Sequence, residues 1–268
     1  MIAAVVPAQN EEGRITKVLD SLSITGVNKT YVVINGSNDN TLQEVLSYKG
    51  LKTEVIYFRE SLGIDVPRAV GAWAAYDENA EIILFVDGDM VGNISNNLIE
   101  LINCIKEHSD MALTNCYPSI PKESVLTSKI IFFRKMLNQT LGIFEEMGIS
   151  IPSHGPHAVS RKFLKTIPFR ELAVPPVSLA IAVKEKLKIT VPFTIPHFKL
   201  GSKLKDKKHA YLIAETIIGD CIEAMNFYKG NPRERIFNGI VYNGYNSFRR
   251  WDILNKFLKN KYKPLFFH

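Results

Sequence analysis

The chain has 268 residues, 46% of them hydrophobic and 22% charged, with 16 glycines and 13 prolines. These proportions exclude a disordered, collagen-like or low-complexity chain, and the length allows one large domain with a full-sized core. Lysine and arginine number 33 against 27 acids, a net charge of +6 that favours anionic partners such as nucleotides, phosphates or anionic lipid without choosing among them.

Residues 2–6 are a continuous apolar run of strand length, stopped by Pro7, and Ile15, Val18, Leu19 and Leu22 then recur at helical spacing. Residues 31–34 predict a second strand ended by Asn35, Gly36 and Ser37, and 41–48 a short helix. A third strand is expected over 54–58, and Pro67 suits the first turn of a helix running to about Tyr76. A fourth strand over 81–86 ends at Asp87-Gly88-Asp89, followed by a helix over 98–105 and a short strand over 111–114. After Asn115 the rhythm loosens. Residues 124–147 read as a long amphipathic helix or a helix pair, and 153–156 as a loop feeding a strand around Ala158 and Val159. A helix over 177–187, a strand over 188–195, a basic loop over 199–209 and helices over 210–228 and 232–259 complete the reading.

Buried strands without in/out alternation, separated by helices, predict a mostly parallel sheet with helices on both faces. Ligands of such sheets lie beyond the carboxyl ends of the strands. Three of those ends, at 7–11, 35–39 and 87–89, are polar or acidic. Two carboxylates as close as those of Asp87 and Asp89 repel each other unless a cation sits between them, and hard ions such as Mg²⁺ or Mn²⁺ prefer oxygen ligands and share them with phosphates. Gly88 lets the backbone approach a ligand closely. The competing reading is a polar turn after a buried strand, with Asp89 capping the next helix.

Three stretches, VPAQNEEGRI at the start, NGSNDNT after the second strand and ILFVDGDM after the fourth, resemble the signatures of family 2-type nucleotide-sugar glycosyltransferases, in that order and at about that spacing. The resemblance covers roughly residues 1–200 and is strongest over the first 115. It implies the GT-A fold, a Rossmann-like α/β sandwich, with Asp87 and Asp89 holding Mn²⁺ or Mg²⁺ on the diphosphate of a nucleoside-diphosphate sugar. It places Pro7, Ala8, Asn10 and Glu11 in the loop lining the nucleoside pocket, where an ordinary loop starting a helix is the alternative. Asn35 stands where the family usually carries a base-contacting aspartate, and an amide there both accepts and donates. Arg68 leads a helix across the pocket, suited to a diphosphate through its planar fork or to a plain surface position. Asp39 is expected to brace its loop or the helix at Thr41, and Asp65 to cap a helix or edge the pocket.

On the acceptor side, Ser153-His154-Gly155-Pro156-His157 resembles the family's loop before the acceptor strand, where His154 and His157 bond a sugar hydroxyl or an acceptor phosphate, or are satisfied semi-buried histidines. Inverting members place an acidic general base in the segment matching 172–183, which holds no carboxylate here; Glu171 and Glu185 flank it. Retaining relatives, including those resembling glucosyl-3-phosphoglycerate synthases, use the leaving phosphate instead, and the reading leans to retention. Those relatives add a histidine to the metal after the last core strand. His209 is preferred, with His197 as the other candidate. The lysines at 199, 203, 205, 207 and 208 form a solvated loop or one that closes over a phosphate.

The expected division is a GT-A nucleotide-sugar and acceptor domain over 1–200, with the basic loop and C-terminal helices over 201–268 packed on it. A nucleotidyltransferase on the same general fold is the weaker alternative, because no glycine-rich loop follows the first strand. A non-catalytic nucleotide-sugar binder is the other, and the absent base makes it plausible. No GxGxxG follows the first strand, which disfavours a dinucleotide oxidoreductase, and no basic–aromatic platform points to nucleic acid. The hydroxyl acceptor is left open, and a homo-oligomer is compatible with the reading. No leader pattern or membrane-length apolar run is visible, and Cys104, Cys116 and Cys221 make no disulfide or zinc pattern, so a cytoplasmic location is expected. The aromatic–basic stretches 130–135 and 257–267 fit either peripheral membrane contact or buried helix packing.

Overall fold

The structure is a computed structural model and describes residues 1–118, 125–202 and 206–260. The first half alternates strand and helix: β1 (Ile2–Ala8), α1 (Ile15–Ser23), β2 (Lys29–Asn35), α2 (Thr41–Ser47), β3 (Thr53–Phe58), α3 (Val66–Asp77), β4 (Ile82–Phe85), α4 (Ser95–Lys106) and β5 (Met111–Ala112). Then come α5 (Val125–Leu141), α6 (Phe144–Met147), β6 (His157–Ser160), α7 (Arg161–Thr166), α8 (Pro175–Lys184), β7 (Ile189–Thr190), α9 (Lys207–Lys229), β8 (Ile236–Phe237), β9 (Ile240–Val241) and α10 (Trp251–Leu258).

Seven strands form one sheet in the order β3-β2-β1-β4-β6-β5-β7. β1 pairs in parallel with β2 and β4, β2 with β3 and β5 with β7, while β6 runs antiparallel between β4 and β5. The strands are apolar throughout because both faces are covered. Val5, Tyr31, Val33 and Phe85 face the side carrying α3, α8 and α9, whereas Ala4, Val6, Val32, Ile34 and Leu84 face the side of α1 and α4. Gly71 lets α3 lie close on the sheet: a Cβ there would sit 2.5 Å from a methyl of Val5.

The expected Rossmann-like α/β sandwich of the GT-A type is present, with a central sheet and added C-terminal helices. Residues 125–147 are a helix pair broken at Gly142, whose φ of 73° favours glycine; position 124 lies outside the described residues. The largest differences from expectation are in two stretches. The strand expected over 188–195 contracts to Ile189–Thr190 with one further bridge from Asn115 to Thr194, since Pro192 and Pro196 have no N–H to give a ladder. Of the helix expected over 232–259, only Trp251–Leu258 forms. Before it, Asn238 and Gly239, at φ of 49° and 76°, make a two-residue hairpin turn joining β8 to β9, and a 3-10 turn spans Gly244–Phe248.

α9 packs along α5 and α8, and α10 lies on α3, where the Trp73 indole donates to the Asn260 carbonyl (3.1 Å). Within 130–135, Ile131, Phe133 and Arg134 turn into the core, and Phe132 and Lys135 stay outside. Phe257 is buried against Phe58, and positions 261–267 lie outside the described residues. Among the described residues no helix is long and apolar enough to cross a membrane.

Candidate active site

The carboxyl ends of β1, β2 and β4 open into a cleft of about 820 Å³. Its floor holds Pro7 and Ala8 at the end of β1 with Asn10 and Glu11 after it, Asn35 at the end of β2, and Asp87, Gly88 and Asp89 after β4. α3 contributes Arg68 with Asp65 ahead of it, α9 contributes His209, Ile213, Thr216 and Asp220, and the 244–250 segment closes one end.

Asp87 accepts both of its bonds from Arg68 Nη2, at 2.6 and 2.8 Å. Arg68 is buried, also donates to the Pro152 carbonyl (3.2 Å) and lies 3.3 Å from Asp65. Burial alone would lower its pKa, but Asp87 and Asp65 outweigh this and raise it, so the guanidinium is a permanent charge against the acidic pair. Arg14 lies 3.6 Å from Asp89. Burial, then the charge of Asp87, push its carboxyl above the ordinary range, with a bond from Ser202 working against them. Asp89 does not cap the next helix, which starts at Ser95 without a side-chain cap. The close approach at Gly88 is to β1: its N–H donates to the Pro7 carbonyl (3.0 Å), and a Cβ would meet that same oxygen.

The loops after β1 and β2 are braced by side chains that bond backbone. Asn10, at φ of 58°, accepts from the Asn38 N–H (2.8 Å), and the Glu11 N–H donates to the Thr41 hydroxyl oxygen (2.7 Å) while its carboxylate pairs with Arg14 at 2.7 Å. Asp39 accepts from the Thr41 hydroxyl and from the N–H groups of Thr41 and Glu12, which together hold its carboxyl below the usual range against the effect of burial. Asn35 accepts from the Leu62 N–H (2.6 Å) and donates to the Gly63 carbonyl (3.3 Å). An aspartate could do the first and not the second, which is a physical reason for the amide.

The histidines fall in different places. His154 lines the cleft, stacks on Tyr117 and shares a hydrogen bond with His197 (Nε2 to Nδ1, 2.9 Å). Burial, then Arg134, hold its pKa well below the ordinary imidazole value. His197 is exposed and is not part of the cleft lining. His157 sits on β6 behind the wall, stacked on Phe85 with ring centres 4.7 Å apart, and burial assisted by Arg68 pushes its imidazole down to about 3. His209 stands in the first turn of α9, lines the cleft and bonds the Tyr245 hydroxyl (2.8 Å).

Among the described residues, no group of three His, Cys, Asp or Glu side chains is placed to hold a metal. The acidic pair nevertheless fits a hard divalent ion. Asp87 spends its bonds on one guanidinium nitrogen, which leaves lone pairs on a four-site carboxylate, and Asp89 carries the unfavourable charge that a cation relieves. Such an ion would take two protein carboxylates, with substrate oxygens completing its shell.

Sequence reasoning did not find Asp220, Tyr245 or Phe248. Asp220 was legible as an acid amid the apolar residues Ile217, Ile218, Cys221 and Ile222 of one helix; it bonds Arg235 and Arg249, the latter at 2.8 and 2.7 Å. Arg249 in turn reaches Asp65 (3.3 Å), so a file of alternating charges runs from α9 to Arg68 and Asp87. Tyr245 and Phe248 lay in a stretch expected to be helical, which hid them.

A search of curated proteins finds no match to this chain. Among solved structures, glucosyl-3-phosphoglycerate synthase from Mycobacterium tuberculosis, in complex with phosphoglyceric acid, is 17% identical at a TM-score of 0.61, over 87% of this chain and 81% of that one. A mycobacterial protein is 16% identical at a TM-score of 0.58, over 87% and 76%. At these identities the likeness is one of fold. The family model described as Glycosyl transferase family 2 matches residues 3–167, more than half of the chain and all of the strand ends that build the cleft floor. The chain belongs to glycosyl transferase family 2.

Proposed function

We propose that the protein moves a sugar from a nucleoside-diphosphate sugar to a hydroxyl acceptor, with Asp87 and Asp89 holding a divalent ion on the donor diphosphate. The observation that carries this reading is the acidic pair at the end of β4, backed by buried Arg68 and sharing one cleft with the β1 and β2 loops. The ion, when bound, would offset the charge that develops on the departing diphosphate. Arg68 orients Asp87 and adds a fixed positive charge beneath it. Asn10, Asn35 and Asp39 hold the nucleoside loops in register before any ligand arrives.

Among the described residues each cleft carboxylate is paired with arginine, Asp89 most loosely at 3.6 Å from Arg14, and Glu171 is bound at 3.0 and 2.8 Å by Arg233, away from the cleft. Glu185 is exposed at the far end of α8. This supports transfer without an enzymic carboxylate base and with retention. The acceptor oxygen bonds the anomeric carbon on the face from which the phosphate oxygen leaves, and the acceptor's proton passes to that phosphate. The likeness to a synthase whose structure holds phosphoglyceric acid, with exposed Lys207 and Lys208 next in the chain to the cleft-lining His209, favours a phosphorylated acceptor over a lipid-linked one.

Calorimetry of nucleoside diphosphate binding with and without Mn²⁺ tests the acidic pair. Asp89→Asn is expected to weaken metal-dependent binding roughly tenfold or more, and unchanged affinity would sink the assignment. Proton NMR of the first-formed product tests the stereochemistry: an α-linked donor is expected to yield an α-linked product, and a β-linked one refutes retention.

A further inference from the structure

The cleft crosses the sheet from Asp87 at the end of β4, past Pro7 and Ala8 at the end of β1, to Asn35 at the end of β2. Two strand spacings separate its ends, about 10 Å, the reach of a ribose with its phosphates. If the diphosphate lies at the acidic pair, a base lies against Asn35 and the 61–63 backbone. None of the floor segments, 7–12, 35–40, 59–65 and 87–93, contains an aromatic residue on which that base could rest.

The aromatic wall comes instead from the 244–250 segment. Tyr245 and Phe248 are the phenyl-type rings among the described residues lining the cleft. Tyr245 is committed to His209 through its hydroxyl. Phe248 is 61% exposed although it stands inside the cleft, its ring touched by Tyr245 at 6.0 Å between centres. Its backbone is held at the base end. The Phe248 carbonyl lies 2.5 Å from where a Cβ on Gly63 would be, Gly63 accepts from Asn35, and the Arg250 N–H donates to the Leu62 carbonyl (2.9 Å). Arg249, beside it, is locked by Asp220 and Asp65. A lone exposed apolar residue on an open surface needs no explanation. A phenyl ring held on a clamped backbone at the mouth of a ligand cleft is a platform.

We propose that Phe248 is the stacking surface for the nucleobase of the donor, supplied by the C-terminal segment because the floor loops carry no ring. The proposal rests on the nucleotide reading of the cleft. Every base has a π-face, so the contribution is largely independent of base identity, and selectivity is left to polar groups at its edge.

The test is calorimetry of UDP, GDP and ADP, each with Mn²⁺, on the full chain, with inorganic pyrophosphate and Mn²⁺ as a probe that lacks a base. Phe248→Ala is expected to weaken whichever nucleoside diphosphates bind by roughly ten- to a hundredfold, leaving pyrophosphate unchanged. Phe248→Trp is expected to keep nucleotide affinity and to gain an emission that the nucleotide quenches and pyrophosphate does not. Nucleotide affinity unchanged in Phe248→Ala, or an equal loss for pyrophosphate, overturns the proposal. If Phe248→Ala does not fold, Phe248→Leu, which keeps bulk without a π-face, is read the same way. Failure of the unmodified protein to bind any of the three nucleotides overturns the nucleotide reading itself, and so is distinguishable from failure of the platform.

Discussion

His157 pays nothing for its position while it is neutral, and everything once it is protonated. It is buried in β6 with its ring on Phe85, and its imidazole titrates at about 3, against about 6.5 in an unfolded chain. Between those values the unfolded chain binds a proton that the folded one does not, so stability is lost as pH falls below about 6.5. Urea unfolding at pH 7 and pH 5 is expected to show that His157→Phe narrows the difference between the two by about 2 kcal/mol. The chain pattern S-H-G-P-H offered both histidines for the acceptor side with equal force. The start of β6 separates them: His157 opens the strand, pairs with Phe85 in register and turns inward, while His154, still in the loop, lines the cleft. That distinction depends on which residue starts the strand, a boundary that local composition does not determine. Asn35 is a second case. Asn35→Asp should lower stability by about 1–3 kcal/mol, because a carboxylate would face the Gly63 carbonyl with no proton to give, and a drop in the thermal midpoint measures it.

At the scale of elements, α9 shows how a cap serves the cleft. Asp206 accepts from the His209 N–H (2.8 Å), fixing the first turn that carries His209, and Gly230 ends the helix at φ of 78°. Asp206→Ala is expected to cost about 1 kcal/mol in chemical denaturation and to raise amide exchange in that first turn before the rest of the helix. The strands and helices of the first 115 residues were legible because each is a short apolar run or a clear helical repeat. The 232–250 stretch was not, although Asn238-Gly239 is a strong hairpin signal. Its apolar residues Ile236, Phe237, Ile240 and Val241 recur at spacings of one, three and four, which suit a helix as well as two short strands.

At the scale of the whole molecule, the file of charges from Glu223 through Arg235, Asp220, Arg249, Asp65 and Arg68 to Asp87 ties the C-terminal segment to the acidic pair. Burial works against the Asp220 charge, but Arg249 and Arg235 outweigh it and hold its carboxyl below the usual range. Asp220→Asn leaves two buried arginines short of a counter-charge and is expected to cost about 3–5 kcal/mol, read by urea unfolding. The floor of the cleft was readable because strand ends and acidic triplets are local. The wall formed by α9 and 244–250 was not, because Asp220, Arg249 and Asp65 become neighbours only through tertiary folding.

Arg249 meets Asp65 across 184 residues of chain. During synthesis at about 5–20 residues per second, that separation is roughly 10–40 s. The loops that would grip a diphosphate therefore leave the ribosome well before the segment that would wall off a base. A nascent chain would own a phosphate-binding edge without a nucleoside pocket, and the cleft would mature in two stages, with retention of a nucleotide beginning only at the second.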